Sequence, residues 1–147
     1  IVGFRGRAID CECGKWLSPA GNKATLYNWQ NIANSDIVFI VENAIDALLL
    51  TERIDAVAVA TLSISYWEDE WTEFLVQNEP QMVVIAYDNH WVAMGTHSEQ
   101  WLEDHERLPM PAGMRLFNRL SEAGLKVELY DWGDKPVGYD VGDLLKE

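Results

Sequence analysis

Cysteine is nearly absent: the 147 residues hold two, Cys11 and Cys13, in one C-x-C pair. With no second pair downstream a four-ligand zinc site lacks half its thiolates, and a turn with two free thiols is the simpler reading. Long apolar runs are missing too. No stretch approaches the roughly 20 residues of a membrane span and no signal peptide is seen, so a cytoplasmic location without a membrane partner is expected. Bases are few, 11 Lys and Arg against 24 Asp and Glu, for a net charge of −13. Affinity for nucleic acid comes largely from Lys and Arg meeting phosphates, so uniform electrostatic attraction is excluded. No internal repeat or low-complexity tract appears. The first residue is Ile rather than Met, which leads us to expect a piece of a longer chain.

What is present suits one globular domain, or one domain with a small extension, at 48% hydrophobic content. The charge is uneven. Residues 31–106 carry fifteen acids and one base, Arg53, whereas residues 1–30 carry Arg5, Arg7, Lys15 and Lys23 against two acids. Solubility explains surface acids such as Glu68, Asp69 and Glu70. It does not explain acids at the ends of strands.

Ile1 to Ile9 is strand-like, Asp10 to Gly14 turn-like, and Lys15 to Leu17 starts a short second strand closed by Ser18-Pro19, which predicts a small antiparallel unit bearing basic side chains. From Asp36 onward short apolar runs alternate with helical stretches, the pattern of a parallel α/β fold. Strands are expected over Ile37–Val41, Ala56–Ala60, Met82–Tyr87 and Val127–Trp132. Helices are expected over Ala44–Arg53, Tyr66–Val76 and Ala112–Ala123, with Gly124 as a stop. The aromatic stripe of Trp67, Trp71 and Phe74 reads as core. Residues 91–111 form a long irregular insertion.

The stretch from Asp36 to Leu50, DIVFIVENAIDALLL, organises the rest. Its unbroken β-branched run reads as a strand buried on both faces and ends in Glu42, where open α/β sheets place their ligands. Capping of the next helix is the simpler role for that one acid. The third strand ends in Asp88-Asn89-His90, and the fourth leads to Asp140 and Asp143. Parallel strands bring these groups to one edge. Two carboxylates about 4 Å apart repel by roughly 4 kcal/mol at an effective dielectric near 20, so a gathered cluster calls for a cation. Oxygen ligands suit Mg²⁺ or Mn²⁺. The alternative is a set of solvated loop acids that never meet.

These residues together resemble the Toprim domain of bacterial, phage and plasmid primases: strand-Glu42, Asp46-Ala47 on the helix, an apolar strand ending in Asp88, and a closing Lys135, Asp140, Asp143. Upstream, Arg5-Gly6-Arg7 and Lys15-Trp16-Leu17-Ser18-Pro19 are similar to the segment that precedes Toprim in those primases. The resemblance implies a Rossmann-like, mostly parallel sheet flanked by helices over 36–147, preceded by a small basic segment over 1–35. It further implies metal-dependent nucleotidyl transfer that makes short primers on single-stranded DNA, from nucleoside triphosphates, alongside a replicative helicase. Glu42 and Asp88 would be catalytic; Glu42, Asp88, His90, Asp140 and Asp143 would bind the metal with Asp46 in support; Arg5, Arg7, Lys15 and Lys135 would meet nucleic acid or nucleotide.

Two departures from the family pattern stand out. Asn43 follows Glu42 where the family has Gly, a mild change because Asn tolerates unusual backbone angles. His90 replaces the second Asp of Asp-x-Asp, and histidine is a poor Mg²⁺ ligand. A silent binding or scaffold module, a Toprim nuclease and a receiver-like phosphoacceptor at Asp88 therefore remain alternatives. The last lacks the expected acid pair after strand one and a hydroxyl after strand four. His97, Glu99, Glu103 and His105 of the insertion read as solvated loop residues.

Overall fold

The computed structural model describes residues 6–7, 16–17, 25–33, 35–54, 56–63, 66–89, 112–136 and 138–147. Arg5, Lys15, His90, the cysteine pair and the 91–111 insertion fall outside them. Near the start, β1 (Gly6–Arg7) pairs antiparallel with β2 (Trp16–Leu17). Then come β3 (Ile37–Val41), α1 (Ala44–Arg53), β4 (Val57–Ala60), α2 (Asp69–Asn78), β5 (Met82–Ile85), α3 (Ala112–Glu122), β6 (Val127–Leu129) and the single turn α4 (Val141–Leu144).

β4, β3, β5 and β6 lie in that order in one sheet, and every neighbouring pair is parallel. The α/β expectation is therefore met, with helices on both faces. Side chains alternate across a pleated sheet. Val38, Ile40, Val59, Val83, Ile85 and Tyr87 pack on one face with Leu75 of α2 and Leu116 and Leu120 of α3. Val41, Ala58, Ala60 and Ala86 pack on the other with Ala47 and Leu50 of α1 and Val141 of α4. Each fully buried Leu or Val contributes about 1.5–3 kcal/mol relative to exposure, so the two layers hold the sheet from both sides.

Element ends follow local chemistry. Asn43 caps α1, its side-chain oxygen accepting from the Asp46 N–H at 3.0 Å. Gly124, at φ 90°, ends α3, and the Leu125 N–H closes back on the Leu120 carbonyl at 3.2 Å. The second expected helix starts later than its aromatic spacing suggests, at Asp69. Tyr66 and Trp67 instead meet Trp71 edge-on, at ring-centroid distances of 5.7 and 5.3 Å, from the segment before the helix. The fourth strand stops at Leu129 rather than Trp132, because its partner β5 ends at Ile85, paired to Leu129. Among the described residues no helix is long and apolar enough to cross a membrane.

Candidate metal centre

All four parallel strands end on one edge, and the chain leaving that edge carries the acids. Glu42 directly follows β3, Asp46 sits in the first turn of α1, Asp88 follows β5, and Asp140 caps α4. One carboxylate oxygen from each of Asp46, Asp88 and Asp140 lies within 4.8 Å of the others. These three come from positions 46, 88 and 140 of the chain, and only the parallel topology gathers them.

Asp46 is the buried member, 3% exposed. Its Oδ1 accepts the Gly142 N–H at 3.2 Å, and the Asn43 side-chain amide donates to its Oδ2. Burial first, and the charge of Asp140 next, push its carboxyl up from 3.8 to about 6, outweighing the two hydrogen bonds that favour the anion. The carboxylates are thus crowded enough to feel one another, which is the condition under which a small hard cation gains most by entering. An all-oxygen donor set within this span fits Mg²⁺ or Mn²⁺.

Asp140 and Asp143 do not share one task. The Asp140 side chain accepts the Asp143 N–H at 2.7 Å, an N-cap that turns the second acid one helical step away. Asp143 instead receives Lys146 at 2.8 Å, which holds its carboxyl below the usual range. Lys135 lies on Glu147 at 2.6 Å, rather than in the Asp46, Asp88 and Asp140 group. The same pairing lowers the Glu147 carboxyl.

Glu42 occupies a different position. It directly follows β3, and its charge reaches both Asp46 and Tyr87. Tyr87, hydrogen-bonded to Thr61, is pushed up to about 12 chiefly by burial, with Glu42 adding to the effect. Glu42 stands beside Asp46 but outside the group that Asp46, Asp88 and Asp140 form.

Asn89 is the residue that sequence reasoning passed over. It is 1% exposed, and its side-chain amide donates to the carbonyls of Lys135 at 2.7 Å and Pro136 at 3.3 Å. Its own N–H reaches the Tyr139 carbonyl, and the Gly138 N–H reaches back to its carbonyl, both at 2.8 Å. Gly138 sits at φ 78°, a left-handed angle that glycine adopts freely. These four bonds tie Lys135, Pro136, Gly138 and Tyr139 to the chain leaving β5 and so hold Asp140 against Asp88. The clue in the sequence was its central place in Asp88-Asn89-His90. Arg7 lies in β1, where only the backbone is described.

No family model and no curated protein matches this sequence. Solved structures do. The fold is similar to the zinc-binding and RNA polymerase domains of the Aquifex aeolicus primase, with a TM-score of 0.67 and 19% identity over 99% of this chain and 34% of that one. It is similar also to a DNA primase domain from Pseudomonas aeruginosa, TM-score 0.63 and 20% identity over 99% of this chain and 43% of that one. A DnaG catalytic core gives TM-score 0.63 and 20% identity over 99% and 44%. At such identities the likeness is one of fold, and this chain, spanning less than half the length of each of these structures, has the fold of primase catalytic cores.

Proposed function

We propose that this chain is the core of a primase-type nucleotidyltransferase, of phage, plasmid or related origin, that makes short primers on a single-stranded DNA template. In this reading residues 36–147 form a Toprim domain with an insertion at 91–111, and residues 1–35 are the end of the preceding basic subdomain. The observation that carries it is the meeting of Asp46, Asp88 and Asp140 at the carboxyl edge of a parallel sheet whose fold resembles primase cores.

Asp46, Asp88 and Asp140 would hold Mg²⁺ or Mn²⁺, with His90 as a neighbouring donor and Asp143 joining only after leaving Lys146. Such an ion neutralises phosphate charge and lowers the pKa of an attacking hydroxyl. The chain's own part is positioning. Asn89 and Gly142 fix the aspartates, and Glu42 would take or give a proton beside them. Arg5, Arg7, Lys15 and Lys135 would contact template or nucleotide phosphates, Lys135 after leaving Glu147.

A second reading, a catalytically silent module of a replication protein, is favoured by His90 standing where the family has Asp. One experiment separates the two. The chain is incubated with a single-stranded template, nucleoside triphosphates and millimolar Mn²⁺ or Mg²⁺, and products are resolved on a sequencing gel. Primers that vanish in the Asp88→Asn variant support the polymerase; no product, together with no rise in melting temperature on adding either ion, sinks it.

A further inference from the structure

Across the sheet from the aspartates, a cleft of about 250 Å³ is lined by Tyr66, Trp67, Tyr87, Arg115 and Arg119. Arg115 and Arg119 stand one turn apart on α3 and so share a helix face. Arg119 is fixed at the rim by an ion pair with Asp69 and by donation to the Trp67 carbonyl at 3.4 Å. The Trp67 ring is fixed too, its Nε1 donating to Thr72 at 2.9 Å and its plane meeting Trp71 edge-on. Tyr66 is 43% exposed and Tyr87 forms part of the inner wall. In a chain of net charge −13, residues 112–147 hold five bases, and two of them converge here.

Preset aromatic rings with planar cations beside them suit a flat aromatic group that carries negative charge. Stacking is tolerant of which base is offered, and guanidinium forks match phosphate oxygens. The volume lies below the roughly 300–1,000 Å³ of sites for drug-sized ligands, so a single unit fits rather than a long one. We propose that this cleft holds one nucleotide unit, an unpaired base against Tyr66 and Trp67 with its phosphate toward Arg115. The inference rests on the nucleic-acid reading above and adds a subsite away from the metal centre. A strand and a free nucleotide offer the same chemistry, and the test separates them.

The full chain is titrated in EDTA against fluorescein-labelled oligo(dT), read by anisotropy over a salt series. Tyr66→Ala should weaken binding by roughly fivefold or more at unchanged salt slope, the effect of losing one stacked base. Arg115→Ala should flatten the log–log slope by about 0.7, one phosphate contact on a single strand, and Arg115→Lys should restore it. Displacement of the oligonucleotide by millimolar thymidine monophosphate assigns the cleft to the free nucleotide; resistance assigns it to the strand. Folding of each variant is verified by its circular dichroism melt. Wild-type affinity and slope in both folded alanine variants overturn the cleft, whatever the primer assay gives. Cleft-dependent binding in EDTA by a chain that neither makes primers nor melts higher with Mn²⁺ or Mg²⁺ overturns the polymerase and leaves the cleft standing.

Discussion

Asp46→Asn is the sharpest probe of the crowded carboxylates. The Asp46 carboxyl lies at about 6 in the folded chain against its ordinary value of 3.8. A gap of about two pH units, at roughly 1.4 kcal/mol each, means that holding this anion at neutral pH costs the fold about 3 kcal/mol. The direction follows from proton binding: a carboxyl raised on folding keeps its proton more tightly in the folded chain, so its help to stability is full below pH 4 and is lost as pH climbs to about 6. Asparagine removes the charge at nearly constant volume. It still accepts the Gly142 N–H, but its amide faces that of Asn43, and one hydrogen bond worth about 1 kcal/mol is lost. The net gain without metal is about 2 kcal/mol at pH 7.5, which raises the melting temperature by roughly 4–8 °C for a chain of this length.

The gain should shrink to nothing near pH 4 and the order should invert with metal. Wild type at a hundredfold excess of Mn²⁺ over its Kd is stabilised by about 2.7 kcal/mol, or roughly 5–11 °C, and the variant by far less. Differential scanning fluorimetry from pH 4 to 8, in EDTA and in Mn²⁺, reads all of this. A variant that melts below wild type in EDTA at pH 7.5 would refute the idea that the three aspartates are crowded.

Three further outcomes follow from the geometry. Gly142→Ala places a methyl 3.1 Å from an oxygen of both Asp46 and Asp140, so Mn²⁺ affinity by calorimetry should fall about 10–100-fold, the usual effect of disturbing a ligand's support. Asn89→Ala leaves the Lys135 and Pro136 carbonyls without their buried donor, and should lower stability in urea by about 1–3 kcal/mol and metal affinity with it. Glu42→Gln should reduce primer synthesis by about 10²–10⁴-fold, as loss of a general acid or base does, while the Mn²⁺-induced rise in melting temperature persists.

Much of the fold was legible because its signals are local. Ile37–Val41 and Ala44–Arg53 appear at the boundaries their sequences announce, since a β-branched run and an Asn-capped amphipathic stretch each decide their own backbone. The ends of β5 and β6 were not, because a strand stops where its neighbour's hydrogen bonds stop, and that is a property of the pair. Tyr66 and Trp67 kept helical spacing without being helical, since ring packing against Trp71 satisfies them equally well from a loop.

The site divides in the same way. Residue order alone determined that acids would leave the strand ends, for the apolar runs stop abruptly at Glu42 and Asp88. Which acids meet was settled by the parallel order of the strands and by two caps. The parallel strands bring Asp46, Asp88 and Asp140 to one edge, Asn43 and Gly142 hold Asp46 there, and the Asp140 cap turns Asp143 out to Lys146. A linear string of residues records each carboxylate's presence, but distance through space depends on which strands lie side by side, and that is fixed only when both apolar layers close on the sheet.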